Sequence, residues 1–77
     1  MPRYFFDVQD GNTHHTDDVG EVLDGLETAF REAMGLLSEL AQQILPNGKD
    51  RALISTVRDE DGKGVYKATL TLTGAKL

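Results

Sequence analysis

The last third of the chain alternates apolar and polar residues on both sides of the dipeptide Asp61-Gly62. This feature restricts the fold most, because such alternation is typical of a strand with one buried face and Asp-Gly is typical of a two-residue hairpin turn. A shift of one residue would mix the two faces, so the register is well defined. The segment predicts antiparallel strands over residues 52–58 and 65–72. Its predicted cross-strand pairs are Val57 with Tyr66, Ser55 with Ala68, Leu53 with Leu70, Arg58 with Val65, Thr56 with Lys67, Ile54 with Thr69 and Glu60 with Lys63.

The opening segment, MPRYFFDVQDG, predicts a second hairpin. Asp10-Gly11 is a turn signal that follows a strand over residues 3–9. The short polar segment over residues 13–17 then fits an exposed edge strand. Alternation divides the first strand into two faces, one with Tyr4, Phe6 and Val8 and the other with Arg3, Phe5 and Asp7.

Apolar residues at intervals of three or four predict one amphipathic helix from Leu26 to Ile44. Asp24, followed three residues later by Glu27, is typical of a capping box at a helix start. The segment 46–48, Pro-Asn-Gly, is typical of a helix end.

These elements predict a single domain over residues 1–77 in the α+β class, with two layers and the order ββαββ. The strand directions and a polar second strand at the edge favour a four-stranded antiparallel sheet in the order 2-1-3-4. The first strand is then internal, and one long helix lies on one face. We expect the helix to place Phe30, Met34 and Leu37 against Tyr4 and Phe6.

The opening MPRYFFDVQDG, the long helix, the segment VRDEDG and the alternating TLTL near the end together resemble a family of small soil-bacterial proteins. That family is known only as a domain of unknown function. The resemblance covers nearly the whole chain and rests on strands and turns. It implies a bacterial cytoplasmic setting, and it implies no activity, cofactor or catalytic residue.

The composition of the chain argues against several classes of function. Thirteen acidic residues outnumber eight basic ones, and the formal net charge of -5 argues against nucleic acid as a partner. No apolar run reaches the roughly 18 residues of a membrane span, and we expect a soluble cytoplasmic protein. The chain has no cysteine, and no nucleophile–base set or phosphate-binding glycine loop is recognisable. We therefore predict no enzymatic activity and no cofactor.

His14 and Asp7 are candidates for a metal site, because histidine and carboxylate groups are ligands of transition metals. With Asp10-Gly11 as the turn, His14 lies opposite Asp7 on the open face of the sheet. His15 then lies opposite Phe6 on the helix side, so the two histidines cannot easily share one ion. A metal- or small-ligand-binding protein that uses this polar edge strand is therefore the alternative function.

The sheet face away from the helix is the main candidate for an interface. Phe5, Ile54 and Val65 are predicted to lie there among polar residues, on three neighbouring strands. Apolar residues gathered on an open face are typical of an interaction site, although scattered exposed apolar residues are also common. The sequence favours a non-enzymatic protein-interaction module that forms a homodimer or binds another protein through this face.

Overall fold

The computed structural model describes residues 1–77 and contains five strands and one helix. All strand pairs are antiparallel, and the sheet order is β2-β1-β4-β5, with β3 also paired to β1. The helix packs on one face of the sheet, mainly over β4 and β5. The predicted α+β class is confirmed, and the sheet differs from the predicted four strands by the short strand β3. The elements are β1 (Arg3–Asp10), β2 (Thr13–His15), β3 (Glu21–Val22), α1 (Leu26–Ala41), β4 (Arg51–Arg58) and β5 (Gly64–Leu72).

The first hairpin turns one residue later than predicted. Asp10 pairs with Thr13, so Gly11 and Asn12 form the turn, and Gly11 adopts the left-handed conformation that glycine tolerates. The pairing of β1 with β2 is therefore displaced by two residues from the prediction. Because side chains alternate with a period of two, each residue of β2 keeps its predicted face but has a different cross-strand partner.

β2 and β3 are two parts of one interrupted edge strand. β2 ends with His15 opposite Val8, and β3 resumes with Glu21 opposite Tyr4. Between these pairs the edge strand has five residues, 16–20, where β1 has three, 5–7. The two surplus residues cannot be accommodated in a regular ladder, so pairing is lost over this stretch. Residues 13–22 are called the interrupted edge below.

The second hairpin follows the predicted register over most of its length. The five pairs from Leu53–Leu70 to Val57–Tyr66 are confirmed. Arg58, however, pairs with Gly64 and not with Val65, because a β-bulge lies between Val57 and Arg58. A bulge adds one residue to one strand and re-aims the side chains beside it.

The connection between β4 and β5 is a hydrogen-bonded loop. The Asp59 carboxylate accepts hydrogen bonds from the backbone N–H groups of Asp61 and Lys63. The backbone N–H of Asp59 donates to the carbonyl of Lys63. The loop closed by this hydrogen bond therefore contains residues 60–62 and not only the predicted two. The predicted opposition of Glu60 and Lys63 is wrong, and the Glu60 carboxylate instead accepts from the backbone N–H of Arg3.

The predicted start of the helix is confirmed, but its predicted cap and its predicted end are wrong. α1 begins at Leu26, with Gly25 as its N-cap and no capping side chain. The Asp24 carboxylate accepts a hydrogen bond from the Thr28 hydroxyl, and Glu27 forms an ion pair with Arg31, so the predicted capping box is absent. The helix ends at Ala41, three residues before the predicted end. There the backbone N–H groups of Gln43 and Ile44 donate to the carbonyl oxygens three residues earlier, so the helix ends in tighter turns.

Small residues bring the helix close to the sheet. Ala29 and Ala33 are fully buried and pack with Tyr4, Phe6 and Val57 in one cluster. The predicted contact of Tyr4 and Phe6 with Phe30, Met34 and Leu37 is therefore wrong. Alanines occupy the closest approach, and the larger side chains lie on the flanks of the helix or further along it.

Candidate functional site

Asp17 holds the interrupted edge against β1. One carboxylate oxygen accepts from the backbone N–H of Phe6 at 3.0 Å, and the other accepts from Val19 and Gly20 at 3.1 Å. The side chain thus replaces the missing strand partner of Phe6 and forms a tight turn in its own loop. Burial raises the pKa of Asp17, but these backbone hydrogen bonds outweigh burial and lower the pKa below its ordinary value of 3.8.

Arg58 joins this loop to the sheet. Its guanidinium donates to both oxygens of Asp7, at 2.6 and 3.0 Å, and to the carbonyl oxygen of Asp17 at 2.8 Å. The backbone N–H of Asp17 in turn donates to Asp7 at 3.0 Å. The hydrogen bond from Arg58 lowers the pKa of Asp7 below 3.8, against the opposing effect of partial burial. The charged groups of this network satisfy one another, which is typical of a structural role.

Phe5 lies beneath this network on the open face. The centre of its ring is 5.1 Å from the Arg58 guanidinium carbon, within the range of a cation–π contact. A Cβ at Gly20 would lie 2.9 Å from Cε2 of Phe5, so the interrupted edge passes close to the rim of the ring. The open face therefore does not present Phe5 as a bare aromatic surface.

The other two predicted interface residues lie in different places. Val65, displaced by the β-bulge, packs against the helix-side core cluster, so its predicted position on the open face is wrong. Ile54 does lie on the open face, in a shallow depression that it shares with Gln9 and Thr56. The fold therefore does not bring Phe5, Ile54 and Val65 together as one apolar surface.

The predicted pairing of His14 with Asp7 is also wrong. His14 lies opposite Gln9, and His15 lies opposite Val8, as the displaced register requires. Asp7 is already bound by Arg58 and by the backbone of Asp17. No group of three or more histidine and acidic side chains is arranged to hold a metal ion.

A groove opens on the helix side, between α1 and the interrupted edge. It has a volume of about 380 Å³, near the lower end for ligand pockets. The groove exists because α1 lies over β4 and β5 and leaves part of β1 uncovered. We call it the acidic groove; it is lined by Phe6, Val8, Leu36 and Leu40, and by His15, Asp17, Glu21 and Glu32.

The opposite side of the sheet ends in β5, which pairs only with β4. The nine residues Gly64–Leu72 form a free edge. Beside it, Phe30 of the helix stacks on Tyr66, with ring centres 4.0 Å apart. Met34 is 42% exposed and lines the same shallow surface as these two rings. We call Phe30, Met34 and Tyr66 the aromatic flank.

A known family covers nearly all of this chain. A family model described as a domain of unknown function, DUF6894, matches residues 3–71. The chain belongs to the DUF6894 family. No curated protein and no solved structure matches it. Within this DUF6894 chain, α1 is neither long nor apolar enough to cross a membrane.

Sequence reasoning misses the main structural features of this DUF6894 domain. From sequence, Asp17 is the last residue of an exposed edge strand, although Asp17-Asp18-Val19-Gly20 has the Asp and Gly spacing of a side-chain-capped turn. The role of Arg58 has no local signal, because its acceptors Asp7 and Asp17 are distant in the chain. The aromatic flank is visible in the sequence as Phe30 and Met34, but their spacing assigns both to the core.

Proposed function

We propose that this DUF6894 domain is a non-enzymatic protein-interaction module that assembles with a second copy of itself through the free edge. The observation that carries the proposal is the contrast between an accessible nine-residue strand and an opposite edge that is interrupted. An edge strand exposes N–H and C=O groups that can pair with another strand. The proposal takes a bacterial cytoplasm as its setting, on the strength of the sequence resemblance.

The free edge lacks the usual features that prevent pairing. β5 contains no proline and one charged residue, Lys67. Its β-bulge lies at the start of the strand, beside Gly64, and leaves the pairing from Tyr66 onwards regular. In natural proteins that stay monomeric, the edge strands are commonly short, strongly charged or covered. β5 is long and uncovered, which favours pairing.

The sequence of β5 is complementary to itself in an antiparallel arrangement. A twofold axis perpendicular to the sheet, placed at Ala68 or at Thr69, keeps both helices on the same face. Lys67 then lies opposite Thr69 or Thr71, and Tyr66 lies opposite a leucine in either case. Like charges do not meet, and an apolar side chain faces an apolar one, so the strand is compatible with a second copy.

The aromatic flank adds apolar surface at the same edge. Phe30 and Met34 project from the flank of α1 nearest β5, where Tyr66 lies. In a twofold assembly these side chains come close to the partner's helix. Aromatic residues and methionine are enriched in protein interfaces. The flank therefore supports a contact that includes both the strand edge and the helix.

The small size of the core gives assembly a physical reason. Only 9 of 77 residues are buried, and most of these have alanine or medium-sized side chains. Chains of this length bury a small fraction of their surface and are marginally stable alone. Pairing of two β5 strands would continue the sheet across both copies and bury further apolar surface.

The two surfaces favoured by sequence are less suitable. On the open face, Phe5 is in contact with Arg58 and the interrupted edge, and Val65 packs against the helix-side core cluster. At the polar edge strand, the Asp7 carboxylate is bound by Arg58. A metal or ligand there would have to displace a bidentate ion pair, so this alternative is the weaker one.

The test is the molar mass in solution, measured by light scattering from micromolar to millimolar chain concentration. We expect the wild type to be a dimer in the upper part of this range and Thr69→Lys to be a monomer. The substitution places the new lysine opposite its own copy or opposite Lys67 in the two arrangements, so like charges meet in both. The matched control is Thr13→Lys, which makes the same change in an exposed residue of the interrupted edge.

Circular dichroism of each variant establishes that it is folded. A dimer that survives Thr69→Lys, or a wild type that is a monomer at millimolar concentration, would overturn the proposal. Ile54→Lys distinguishes the open face from the free edge, because only an open-face interface would lose its dimer through that change.

A further inference from the structure

We infer that the acidic groove is a binding site for a cationic, partly apolar segment of a partner protein, namely a lysine or arginine next to an aliphatic residue. The groove lies at the opposite side of the sheet from the free edge. The inference is therefore independent of self-association through β5.

The lining of the groove is divided into an apolar part and an acidic part. On the helix, Glu32, Leu36 and Leu40 follow at intervals of four and form one row along the flank that faces β1. On the sheet, Phe6 and Val8 lie below this row. The apolar side chains thus come from both layers, and a ligand between them would contact both.

The acidic side chains gather towards one end. Glu21 pairs with Tyr4 near the start of β1. Leu36, one helical turn after Glu32, packs against the cluster that contains Tyr4, so Glu32 lies towards the same end. Asp17 also lines the groove, beside Phe6, where its carboxylate is already bound by backbone N–H groups. The carboxylates of Glu21 and Glu32 at this end create a negative potential that favours a cation.

The other end is less negative. His15 and Val8 face each other across β2 and β1, and Leu40 lies above the further part of the groove. A ligand therefore binds with its positive group near Glu21 and Glu32 and its aliphatic group near Val8 and Leu40. The separation of an acidic end from an apolar end therefore specifies both the charge and the orientation of the ligand, which the apolar surface alone does not.

Charge complementarity selects the occupant. A second copy of this chain carries a net charge of -5 and would bring further negative charge to the groove. Lysine and arginine provide both a positive group and an aliphatic stem, so they match the two parts of the lining. A basic segment of a different protein is the occupant that the lining fits.

Two blocked hexapeptides, one alternating lysine with leucine and the other glutamate with leucine, serve as probes. Binding is followed by calorimetry and by amide chemical shifts at low ionic strength. We expect saturable binding of the lysine peptide, with shifts centred on Val8, Glu21 and Leu36. The glutamate peptide should not bind, and added salt should weaken the binding of the lysine peptide.

Two variants with the same loss of charge locate the site. Glu32→Gln should lower the affinity for the lysine peptide by about two- to fivefold, as expected for the loss of a solvent-accessible ion pair. Glu27→Gln removes an exposed carboxylate on the opposite flank of α1, beside the aromatic flank, and should leave binding unchanged. Equal binding of the two peptides would overturn the inference. Equal weakening by the two variants, or no binding of the lysine peptide at millimolar concentration, would also overturn it.

Discussion

β5 forms one edge of the sheet with nine consecutive residues, whereas β2 and β3 contribute three and two residues to the other. At the interrupted edge, side chains replace the backbone ladder: Asp17 caps the N–H of Phe6, and Arg58 ties the loop to Asp7. At the free edge, the outward backbone groups have no such cover. The two edges of one small sheet are therefore built by different means.

This difference shows how a small domain can leave a single edge available for pairing. Side-chain hydrogen bonds and a loop protect the interrupted edge, so a second chain cannot extend the sheet there. The free edge can be extended, and it has an apolar flank beside it. The comparison predicts that substitutions affect folding at the interrupted edge and assembly at the free edge.

The largest effect on folding is expected at Gly20. Its φ of +75° disfavours other residues, and a Cβ would lie 2.9 Å from Cγ of Arg3, Cε2 of Phe5 and the carbonyl oxygen of Tyr4. Gly20→Ala should lower the free energy of unfolding by about 3 kcal/mol, through overpacking and backbone strain together. Urea denaturation measures this change.

Gly11→Ala is the matched control for Gly20→Ala. Gly11 also has a positive φ, of 60°, but a Cβ at this position would have no atom within 4 Å. Gly11→Ala should therefore lower the free energy of unfolding only through backbone strain, by about 1 kcal/mol. Equal losses at the two glycines would show that the loop does not pack against β1 as described.

The next largest effect is expected for Asp17→Asn. Both carboxylate oxygens of Asp17 accept backbone hydrogen bonds, whereas an amide has only one acceptor oxygen. The variant should lose about 2 kcal/mol of stability, and the amide of Phe6 should exchange faster with solvent. Asp18→Asn, at the exposed neighbouring position, should be close to neutral. Unchanged exchange at Phe6 would exclude the capping role of Asp17.

A smaller, pH-dependent effect comes from the carboxylates of the network. The fold lowers the pKa of Asp7 and of Asp17 below 3.8. Their contribution to stability is therefore present above the unfolded-state pKa and is lost as the pH falls through the lower folded-state pKa. The free energy of unfolding should decline below about pH 4. Denaturation curves from pH 7 to pH 2.5 measure the slope.

Asp7→Asn should make this decline shallower, because the variant has no carboxylate to protonate at that position. Asp61→Asn serves as the control, since Asp61 lies in the exposed loop between β4 and β5. A decline of unchanged slope in Asp7→Asn would show that Asp7 does not contribute to acid unfolding.

The smallest effect on folding is expected at the free edge. At concentrations where the chain is a monomer, Thr69→Lys should change the free energy of unfolding by less than about 0.5 kcal/mol, because the side chain is exposed. Chemical denaturation at micromolar concentration measures this. A much larger loss would mean that β5 depends on side-chain contacts as the interrupted edge does, and the contrast between the edges would not hold.

The elements of the fold are predictable because their signals are local. Alternation around Asp61-Gly62 predicts five correct cross-strand pairs, and the apolar spacing predicts α1 within a few residues. The errors in the predicted pairs and faces arise where a bulge or a turn differs by one residue from the regular pattern. The bulge beside Gly64 moves Val65 to the helix side, and the turn at Gly11 moves His14 away from Asp7.

The candidate surfaces are less predictable because they depend on how elements pack. The sequence places Phe30 and Met34 in the core, since periodicity identifies an apolar stripe but not which part of it contacts the sheet. Ala29 and Ala33 allow the closest approach. The larger neighbours consequently remain on the flanks, where they form the aromatic flank on one side and the acidic groove on the other.

The sequence by itself determined the α+β class, the antiparallel hairpins and the single helix, because each follows from periodicity or turn chemistry within a short segment. The internal position of β1 follows from the strand directions together with the polar character of the second strand. Tertiary structure alone decided which edge is closed. Arg58 reaches acceptors that are 51 and 41 residues away in the chain, and no short-range pattern specifies such contacts. The acidic groove exists because packing places α1 over β4 and β5 and leaves part of β1 uncovered, and the free edge exists because no further strand pairs with β5.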